Sequence, residues 1–600
     1  MSSGTKKLPS WKSALDSFRK RRWSFHFRWF VLSIAVGIVS GIGAIVFDEL
    51  LHLILKYTIT FFTGYTEPHR WAAAAQVLGF VSPYHYLMIV IPTLGGLVSG
   101  LIVNYLAPET AGDGTEAMID AFHKKGGFIR PRTPYIKILT SAITIGTGGS
   151  AGKEGPISQI GAGFGSFLAT TLKLKPRERR ILVLAGAAAG VGAIFRAPLG
   201  AALFAPEVLY RDTEFEFEAI LPCVVSSIIA YAVFSEFYGR AVIFFPGAVD
   251  FALPKELLPY AIFGILCGVV GYVWIKVFHG MQHYFFDRLT IPRVLKPSLG
   301  GLMCGLILFF YPHVMDGGYG WVQMALEGKM LWYVMFIMAA MKIVATSCTL
   351  GSGGSGGVFG PSIFIGAMLG GGFGYLGHLL FPGWVVYPYA FVLVGMGGFF
   401  AGVAKCPLAG IIMACEMSAS YTLLVPLMLV SAIALIILGR NVSLYEKQVF
   451  TRLASPAHMF EFARGVLEEM RVHEAIVPRR VTTIPEDMRF SELVVTVTHS
   501  SDIYFPVVNT GGKMTGILSI NDIREIMFEE TVAQLILAKD VATPNVVRVF
   551  WNDSLQEALD KMAVIQVDEL PVVREDKPDE IVSMISKRDI ISFYHGKSMM

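Results

Sequence analysis

The sequence predicts an α-helical domain that crosses the membrane many times, followed by a soluble domain of mixed strands and helices. Of the 600 residues, 54% are hydrophobic and only 16% are charged, whereas about 25% of the residues of an average soluble protein are charged. Apolar stretches recur as far as residue 439. Residues 446–600 nevertheless hold 41 of the 96 charged residues, which places a soluble domain at the C-terminal end. This composition excludes a secreted, disordered or nucleic-acid-binding protein.

A basic segment comes before the first apolar stretch. Residues 1–28 include four consecutive cations at 19–22. The apolar stretch that follows is too long and begins too late for a signal peptide. Because Lys and Arg next to membrane helices accumulate on the cytoplasmic side, we expect a multi-pass protein of the plasma (inner) membrane with a cytoplasmic N-terminus.

The apolar segments are of two kinds. The clear ones are 30–56, 87–107, 257–278, 296–311, 330–347 and 423–439. Others are short or broken by glycines, namely 134–147, 157–173, 180–195, 361–381 and 386–403. A simple spanning helix needs about 20 apolar residues, so the second kind predicts partial or tilted helices. Since non-helical backbone at membrane depth must be buried in protein or line a polar pathway, we expect this domain to transport a solute.

Two sequence motifs occur twice in the membrane domain. Gly-Lys-Glu-Gly-Pro at 152–156 returns as Gly-Val-Phe-Gly-Pro at 357–361, and Ala-Pro-Leu-Gly-Ala at 197–201 returns as Cys-Pro-Leu-Ala-Gly at 406–410. The second motif is followed at the same distance by an acidic residue in each copy, which are Glu207 and Glu416. Broken helices at matching positions of two halves point to a binding site between structural repeats.

The glycine-rich loop at 146–156 carries the central chemistry. It is not a nucleotide-binding P-loop, because Thr147 and Glu154 stand where that motif needs Gly and Ser or Thr. The loop instead opens a helix that is predicted to start at Pro156, its N1 residue. Helix N-termini bind anions because they offer unpaired N–H groups and a partial positive charge.

Glu154 brings a carboxylate into this loop. One interpretation is that it only satisfies the helix terminus. An ionisable residue in a membrane segment is costly, however, and usually functional. Since an ionised carboxylate can occupy the anion position and leave it when protonated, Glu154 is a candidate gate and proton carrier.

These motifs, the glycine-rich loop at 351–361 and Tyr445 together resemble the CLC family of chloride channels and proton-coupled chloride antiporters. The resemblance implies an inverted-repeat helical fold over residues 29–445, with repeats at about 29–238 and 257–445. It also implies a homodimer with one pathway per subunit, for chloride or a similar anion and, in an antiporter, for H+.

The resemblance further implies the site residues. Glu154 would be the gate, Val358 and Phe359 would offer backbone amides, and Tyr445 would donate its hydroxyl to a central anion. The positions expected around the anion are Gly112, Asp113, Gly114, Gly152, Lys153, Gly155, Val358, Phe359, Gly360 and Tyr445.

Asp113 departs from the family pattern. Members usually have a serine at this position, whose hydroxyl helps to hold the anion, and an ionised carboxylate should repel chloride. Asp113 and Glu116 also fit an N-capping box, in which the aspartate binds its own helix. The cap and a role in the pathway both remain open, and Asp113 can also titrate.

Val208 is a second departure. In the antiporters an inner glutamate delivers protons from the cytoplasm, and alignment on the Ala-Pro-Leu motif places Val208 at that position. The neighbouring Glu207 corresponds to its repeat partner Glu416, which suggests a structural role. Either the protein is a strictly passive chloride channel, or protons reach Glu154 by another route.

The C-terminal domain resembles a tandem pair of CBS domains. After a linker at 446–475, the first would span 476–534 and the second 535–600, both cytoplasmic. Each contains a strand, a Ser-x-x-Asp motif and a helix, and the motif residues are Ser519, Asp522, Ser586 and Asp589. In CBS domains such aspartates bind ribose, which implies an adenine nucleotide, but the motif is also an ordinary helix start.

Several functions remain as hypotheses. The leading one is transmembrane chloride transport gated by Glu154, as an H+/Cl− antiporter or as a voltage- or pH-gated channel. CBS domains also accompany magnesium channels, although glycine amides, rather than the oxygen ligands that Mg2+ prefers, line these loops. A membrane-anchored nucleotide sensor would leave the loops unexplained. We expect no enzyme activity, no required cofactor and no bound metal or nucleic acid.

Overall fold

The computed structural model describes residues 25–66, 84–247, 254–458, 467–476, 481–500, 502–526, 535–565 and 567–598. Within it the chain forms two compact units, Met1–Ala457 and His458–Met600. Most of the predicted basic N-terminal segment and part of the predicted linker lie outside the described residues.

The first half of the membrane unit is helical. Its helices are α1 (Phe25–Leu55, continued by π-helical Lys56–Thr60 and by Phe61–Thr63), α2 (Leu87–Leu106), α3 (Gly114–Lys124), α4 (Thr133–Gly146), α5 (Glu154–Thr171), α6 (Pro176–Phe195), α7 (Pro198–Glu207) and α8 (Phe217–Tyr238). Strand β1 (Gly112–Asp113) comes directly before α3.

The second half repeats this order. Its helices are α9 (Leu257–Gly280, continued by π-helical Met281–Phe286), α10 (Lys296–Phe310), α11 (Tyr319–Leu326), α12 (Trp332–Gly351), α13 (Phe359–Leu380), α14 (Ala390–Ala404), α15 (Pro407–Ser418) and α16 (Leu424–Leu438). Strand β2 (Ser355–Gly356) lies in the loop before α13.

The helix lengths confirm most of the predicted pattern. Seven helices of the described residues are long and apolar enough to cross a membrane, and α14, α15 and α16 are shorter apolar helices. Of the segments predicted to be partial or tilted, 157–173, 180–195 and 361–381 fall on unbroken helices of 18, 20 and 22 residues, so the partial-helix alternative is wrong there. The longest of these helices is α13. Its glycines pack against a neighbour instead of breaking the helix: a Cβ on Gly370 would lie 1.8 Å from the carbonyl oxygen of Phe391 in α14.

Glu207 and Glu416 join the two halves by reciprocal caps. Glu207 accepts hydrogen bonds from the backbone N–H groups of Leu408 (3.0 Å) and Ala409 (2.7 Å) in the first turn of α15. Glu416 accepts from Leu199 (3.2 Å) and Gly200 (2.8 Å) in the first turn of α7. Each carboxylate thus satisfies N–H groups that a helix start leaves unpaired, and this confirms the predicted structural role.

The soluble unit contains two sheets with the same topology. The strands are β3 (Ile484–Pro485), β4 (Tyr504–Val508), β5 (Met514–Ser519), β6 (Val549–Phe550), β7 (Glu569–Arg574) and β8 (Lys577–Ser586). In each sheet of three strands, the first strand pairs parallel to the second and the second pairs antiparallel to the third. The helices are α17 (Val472–Ala475), α18 (Phe490–Thr498), α19 (Ile520–Ile526), α20 (Ala538–Val541), α21 (Leu555–Ile565) and α22 (Lys587–Ser598).

Two segments of this unit pack on a sheet outside the domain to which the sequence assigned them. Residues 467–475, predicted as linker, join the core of the second sheet through Leu467, Met470, Val472 and Ala475. Residues 536–542, predicted to belong to the second CBS domain, pack on the core of the first sheet. Both segments carry apolar side chains that each sheet needs to cover its core.

Candidate functional site

The site forms where glycine-rich loops of the two halves meet. Strand β1 pairs parallel with β2, with Asp113 opposite Gly356. Gly152 forms an antiparallel bridge with Gly357 and donates its N–H to the carbonyl of that residue at 2.8 Å. These pairings join loops that lie more than 200 residues apart, and they aim the N-termini of α3, α5 and α13 at one region.

Close backbone approach explains the glycines there. A Cβ on Gly155 would lie 2.3 Å from Asp113 Oδ1 and 2.7 Å from the Cα of Gly357. A Cβ on Gly114 would lie 2.1 Å from the carbonyl oxygen of Gly155. Only glycine fits where one helix start meets another at such distances.

Glu154 is the first residue of α5, and its side chain crosses to the second half. It is 1% exposed. Its Oε2 accepts a hydrogen bond from the N–H of Gly360, at 3.2 Å, in the first turn of α13, and its Oε1 accepts one from the Tyr319 hydroxyl. The carboxylate therefore occupies a position that the start of α13 offers to an anion.

Asp113 holds a second such position. Its Oδ2 accepts from the N–H of Glu116 at 3.0 Å, so it caps α3. Its Oδ1 accepts from the N–H of Val358 at 3.1 Å. The predicted cap is therefore present, and the second oxygen of Asp113 lies on an amide at the start of α13, while its role in the pathway stays a prediction.

Not every predicted backbone donor is free to bind an ion. The N–H of Gly112 donates to the carbonyl of Gly354 at 3.1 Å, and that of Gly152 is held by Gly357. The side chain of Lys153 pairs with Asp48, with Nζ 2.7 Å from Oδ1. These three residues shape the loops and balance charge, while the amides of Val358 and Gly360 face carboxylates.

Tyr445 follows the last membrane helix and is fully buried. Its hydroxyl lies near Thr115, next to Asp113, and no well-formed hydrogen bond satisfies it within the described part of the chain. A buried hydroxyl in that state is a donor available to a bound group.

Sequence reasoning missed Lys137 and Tyr319. Lys137 on α4 is 0% exposed and donates through Nζ to the carbonyls of Thr110 (3.0 Å) and Gly112 (2.9 Å), directly before Asp113. A lysine buried in an apolar helix was a visible signal, because such residues are rarely buried without a partner. Tyr319 gave no signal, since only the fold brings it to Glu154.

Val208 contributes no proton-carrying group. Its side chain is buried, and its carbonyl accepts from the Gln448 amide at 2.9 Å, which also donates to the carbonyl of Ala404. The residue is thus part of the packing that anchors the segment after Tyr445.

A cavity of about 650 Å3 reaches Asp113 but not Glu154. Its charged lining residues are Glu109, Asp113, Glu116, Asp120, Lys125, Asp287, Arg293, Lys296 and Lys447. An ion in this cavity would therefore meet Asp113 before it meets Glu154.

The Ser-x-x-Asp motifs of the soluble unit form helix caps. Asp522 Oδ2 accepts from the N–H (2.8 Å) and the hydroxyl (2.9 Å) of Ser519. Asp589 Oδ2 accepts in the same way from Ser586, at 2.9 and 2.6 Å. In both copies one carboxylate oxygen is engaged in the cap.

Both units match known protein families. The membrane unit matches the family of voltage gated chloride channels over residues 95–439, and the soluble unit matches the CBS domain at 473–529 and 538–596. A putative ClcB-like chloride channel protein of Ralstonia nicotianae is 31% identical over 368 residues, which are 60% of this chain and 85% of that protein. The H(+)/Cl(−) exchange transporter ClcA of Yersinia pestis is 27% identical over 403 residues, 66% of this chain and 81% of that one. The crystal structure of a slow cyanobacterial Cl−/H+ antiporter superposes with a TM-score of 0.61 at 25% identity, covering 68% of this chain and 94% of the other.

Proposed function

This chain belongs to the CLC family of voltage-gated chloride channels, and from that premise we propose that it carries chloride across the membrane through a pathway gated by Glu154. Relatives named as chloride channels and as H+/Cl− exchangers support chloride as the ion. The family match does not support the magnesium-channel hypothesis. Under this proposal, chloride transport needs neither a bound cofactor nor a catalysed reaction.

The observation that carries the proposal is the pair of carboxylates at the start of α13. Asp113 sits on the N–H of Val358 and Glu154 on that of Gly360. A chloride ion that binds the same amides must displace a carboxylate. Since a protonated carboxyl group is a weaker acceptor than a carboxylate, proton uptake releases the amide and chloride uptake favours the protonated side chain. Binding of the two ions is coupled through this competition.

Because of this competition we favour exchange of protons for chloride over a passive channel. In this mechanism Asp113 is the proton site that faces the cavity. Val208 cannot carry a proton, but Asp113 lines the cavity and Glu154 does not. A proton from the cavity therefore meets Asp113 first. Lys137, which is buried, donates from its Nζ to the carbonyl of Gly112, directly before Asp113. The alternative is a strictly passive channel, in which Asp113 stays ionised.

The experiment is transport in liposomes with a chloride gradient, in which chloride efflux and external pH are recorded together. We expect proton movement driven by chloride. Asp113→Ser should keep chloride flux and lose proton movement, and Glu154→Gln should lose proton movement. Asp120→Asn is the matched control, because Asp120 also lines the cavity but pairs with Lys125. Chloride flux without proton movement in the unsubstituted protein would establish the passive channel, and the absence of chloride flux would overturn the proposal.

The assembly and regulation proposed here rest on the family alone. We propose a homodimer in the cell membrane, with the N-terminus and the CBS pair in the cytoplasm, and an adenine nucleotide bound near Asp522 and Asp589. Sedimentation in detergent tests the dimer. Binding of ATP to the full chain, compared between unsubstituted protein and Asp589→Ala, tests the nucleotide site.

A further inference from the structure

His279, His283 and Glu446 form a cluster beside the cavity. His279 lies at the end of α9, His283 in the π-helical turn that continues it, and Glu446 directly after Tyr445. One ligand atom from each of the three residues lies within 4.8 Å of the others. We propose that these three residues bind one divalent metal ion of the class that prefers nitrogen and oxygen ligands, with Zn2+ as the representative.

The distances fit a tetrahedral ion. Glu446 Oε1 lies 2.9 Å from His283 Nε2 and 3.3 Å from His279 Nδ1. Zn2+ takes nitrogen and oxygen ligands at about 2.0–2.2 Å, so adjacent ligands of a tetrahedral site are about 3.3–3.6 Å apart. The separation from His279 matches that spacing, and the separation from His283 would have to lengthen by about 0.4 Å on metal binding. The two imidazole planes are 16° apart, and the helix irregularity that holds them is of a kind that often occurs at functional sites.

The other nitrogen of each ring supplies a second, independent observation. His283 Nδ1 lies 3.2 Å from the carboxylate of Asp287, and His279 Nε2 lies 3.2 Å from the carbonyl oxygen of Ser443. Histidines that ligate a metal usually donate the remaining N–H to a carboxylate or a backbone carbonyl, because this fixes the tautomer. In the metal-free structure His283 Nε2 donates to Glu446; with the remaining N–H of each ring held as described, metal binding would displace this proton and free a lone pair on each ring for the ion.

Exposure makes the site accessible and leaves room for water. The side chains of His283 and Glu446 are 42% and 40% exposed, and that of His279 is 16% exposed. Three protein ligands with an open fourth position are typical of sites where zinc keeps a water molecule. Oxygen-only cations such as Mg2+ are disfavoured by two imidazole ligands.

The location connects the metal to the cavity. Gln282, Phe286 and Asp287, which flank His283, line it, as does Lys447. The N–H of Lys447 donates to Glu116 Oε1 at 3.0 Å. An ion on Glu446 would therefore tie the segment after Tyr445 to the end of α9.

The test is metal binding by the full, tag-free chain after treatment with EDTA. Titration calorimetry with ZnCl2 should detect one site per chain with micromolar or tighter affinity, and Co2+ should give the visible absorption of a tetrahedral complex. His283→Ala and Glu446→Gln should each weaken this site at least 100-fold, and Asp287→Asn about 10-fold. His378→Ala, which removes another exposed histidine, should leave it unchanged.

Thermal unfolding separates lost binding from lost folding. Zn2+ should raise the unfolding midpoint of the unsubstituted protein, while the variants should keep their metal-free midpoint and show no increase. Zn2+ affinity weaker than about 100 μM, or binding that survives both His283→Ala and Glu446→Gln, would overturn the proposal and leave the cluster as an ion pair with hydrogen bonds. Chloride transport is not measured in these experiments, so their outcome is independent of the proposed function.

Discussion

Replacing Asp113 with serine tests the competition between carboxylate and chloride. The substitution removes the acceptor that holds the N–H of Val358 at 3.1 Å. Serine caps helices about as well as aspartate, so the cap on α3 remains and folding should be preserved. The amide of Val358 becomes free, and the buried Lys137 loses its nearby carboxylate.

The size of the effect follows from that hydrogen bond. A hydrogen bond to a charged group contributes about 1.5–3 kcal/mol. Chloride no longer has to displace it, so chloride affinity should rise about 10- to 150-fold, since 1.4 kcal/mol corresponds to a factor of 10. Removal of a negative charge close to the ion acts in the same direction.

Chloride titration by calorimetry in detergent measures the affinity, and the paired liposome assay measures proton coupling. Asp120→Asn serves as the control in both, because it removes one negative charge from the cavity lining without freeing an amide of α13. Equal chloride affinity and equal proton movement in Asp113→Ser and the unsubstituted protein would refute the reasoning, since the carboxylate would then not compete with the ion.

Three further substitutions test other parts of the site. Glu154→Gln removes one of the two titratable carboxylates that compete with chloride, so chloride flux in liposomes should depend less steeply on pH than in the unsubstituted protein; pH dependence retained in full would contradict a gating role. Glu416→Ala leaves two first-turn N–H groups of α7 without their acceptor. It should lower the free energy of unfolding by about 1–3 kcal/mol, measured as a lower thermal midpoint. Glu218→Ala, at an exposed ion pair, should change the midpoint little. Gly155→Ala forces a methyl group to within 2.3 Å of Asp113 Oδ1 and should abolish chloride flux per correctly folded protein. Gly280→Ala is the control and should keep this flux, because a Cβ there meets no atom within 4 Å. Normal flux in Gly155→Ala would show that the loops can separate.

Local patterns in the sequence were sufficient for the parts of the fold that depend on neighbouring residues. Apolar runs predicted the membrane helices, and Pro156 and the glycines marked the start of α5 to within two residues, since the helix begins at Glu154 and not at Pro156. The repeated motifs paired Glu207 with Glu416, although not the helix that each one caps. The packing of residues 536–542 on a sheet that precedes them in the chain was not visible in the sequence, because it depends on contacts between distant segments.

The sequence by itself determined the helical membrane domain and predicted a helix start suited to an anion with a carboxylate beside it, because helix propensity, hydropathy and N-terminal polarity are local properties. Only the tertiary structure decided which amide each carboxylate occupies. Asp113 meets Val358 across 245 residues, and Glu154 meets Gly360 across 206. The partners Lys137 and Tyr319 and the cluster around Glu446 came from the fold in the same way. Contacts of this kind depend on how two halves of the chain pack against each other, and no spacing along one segment encodes that geometry.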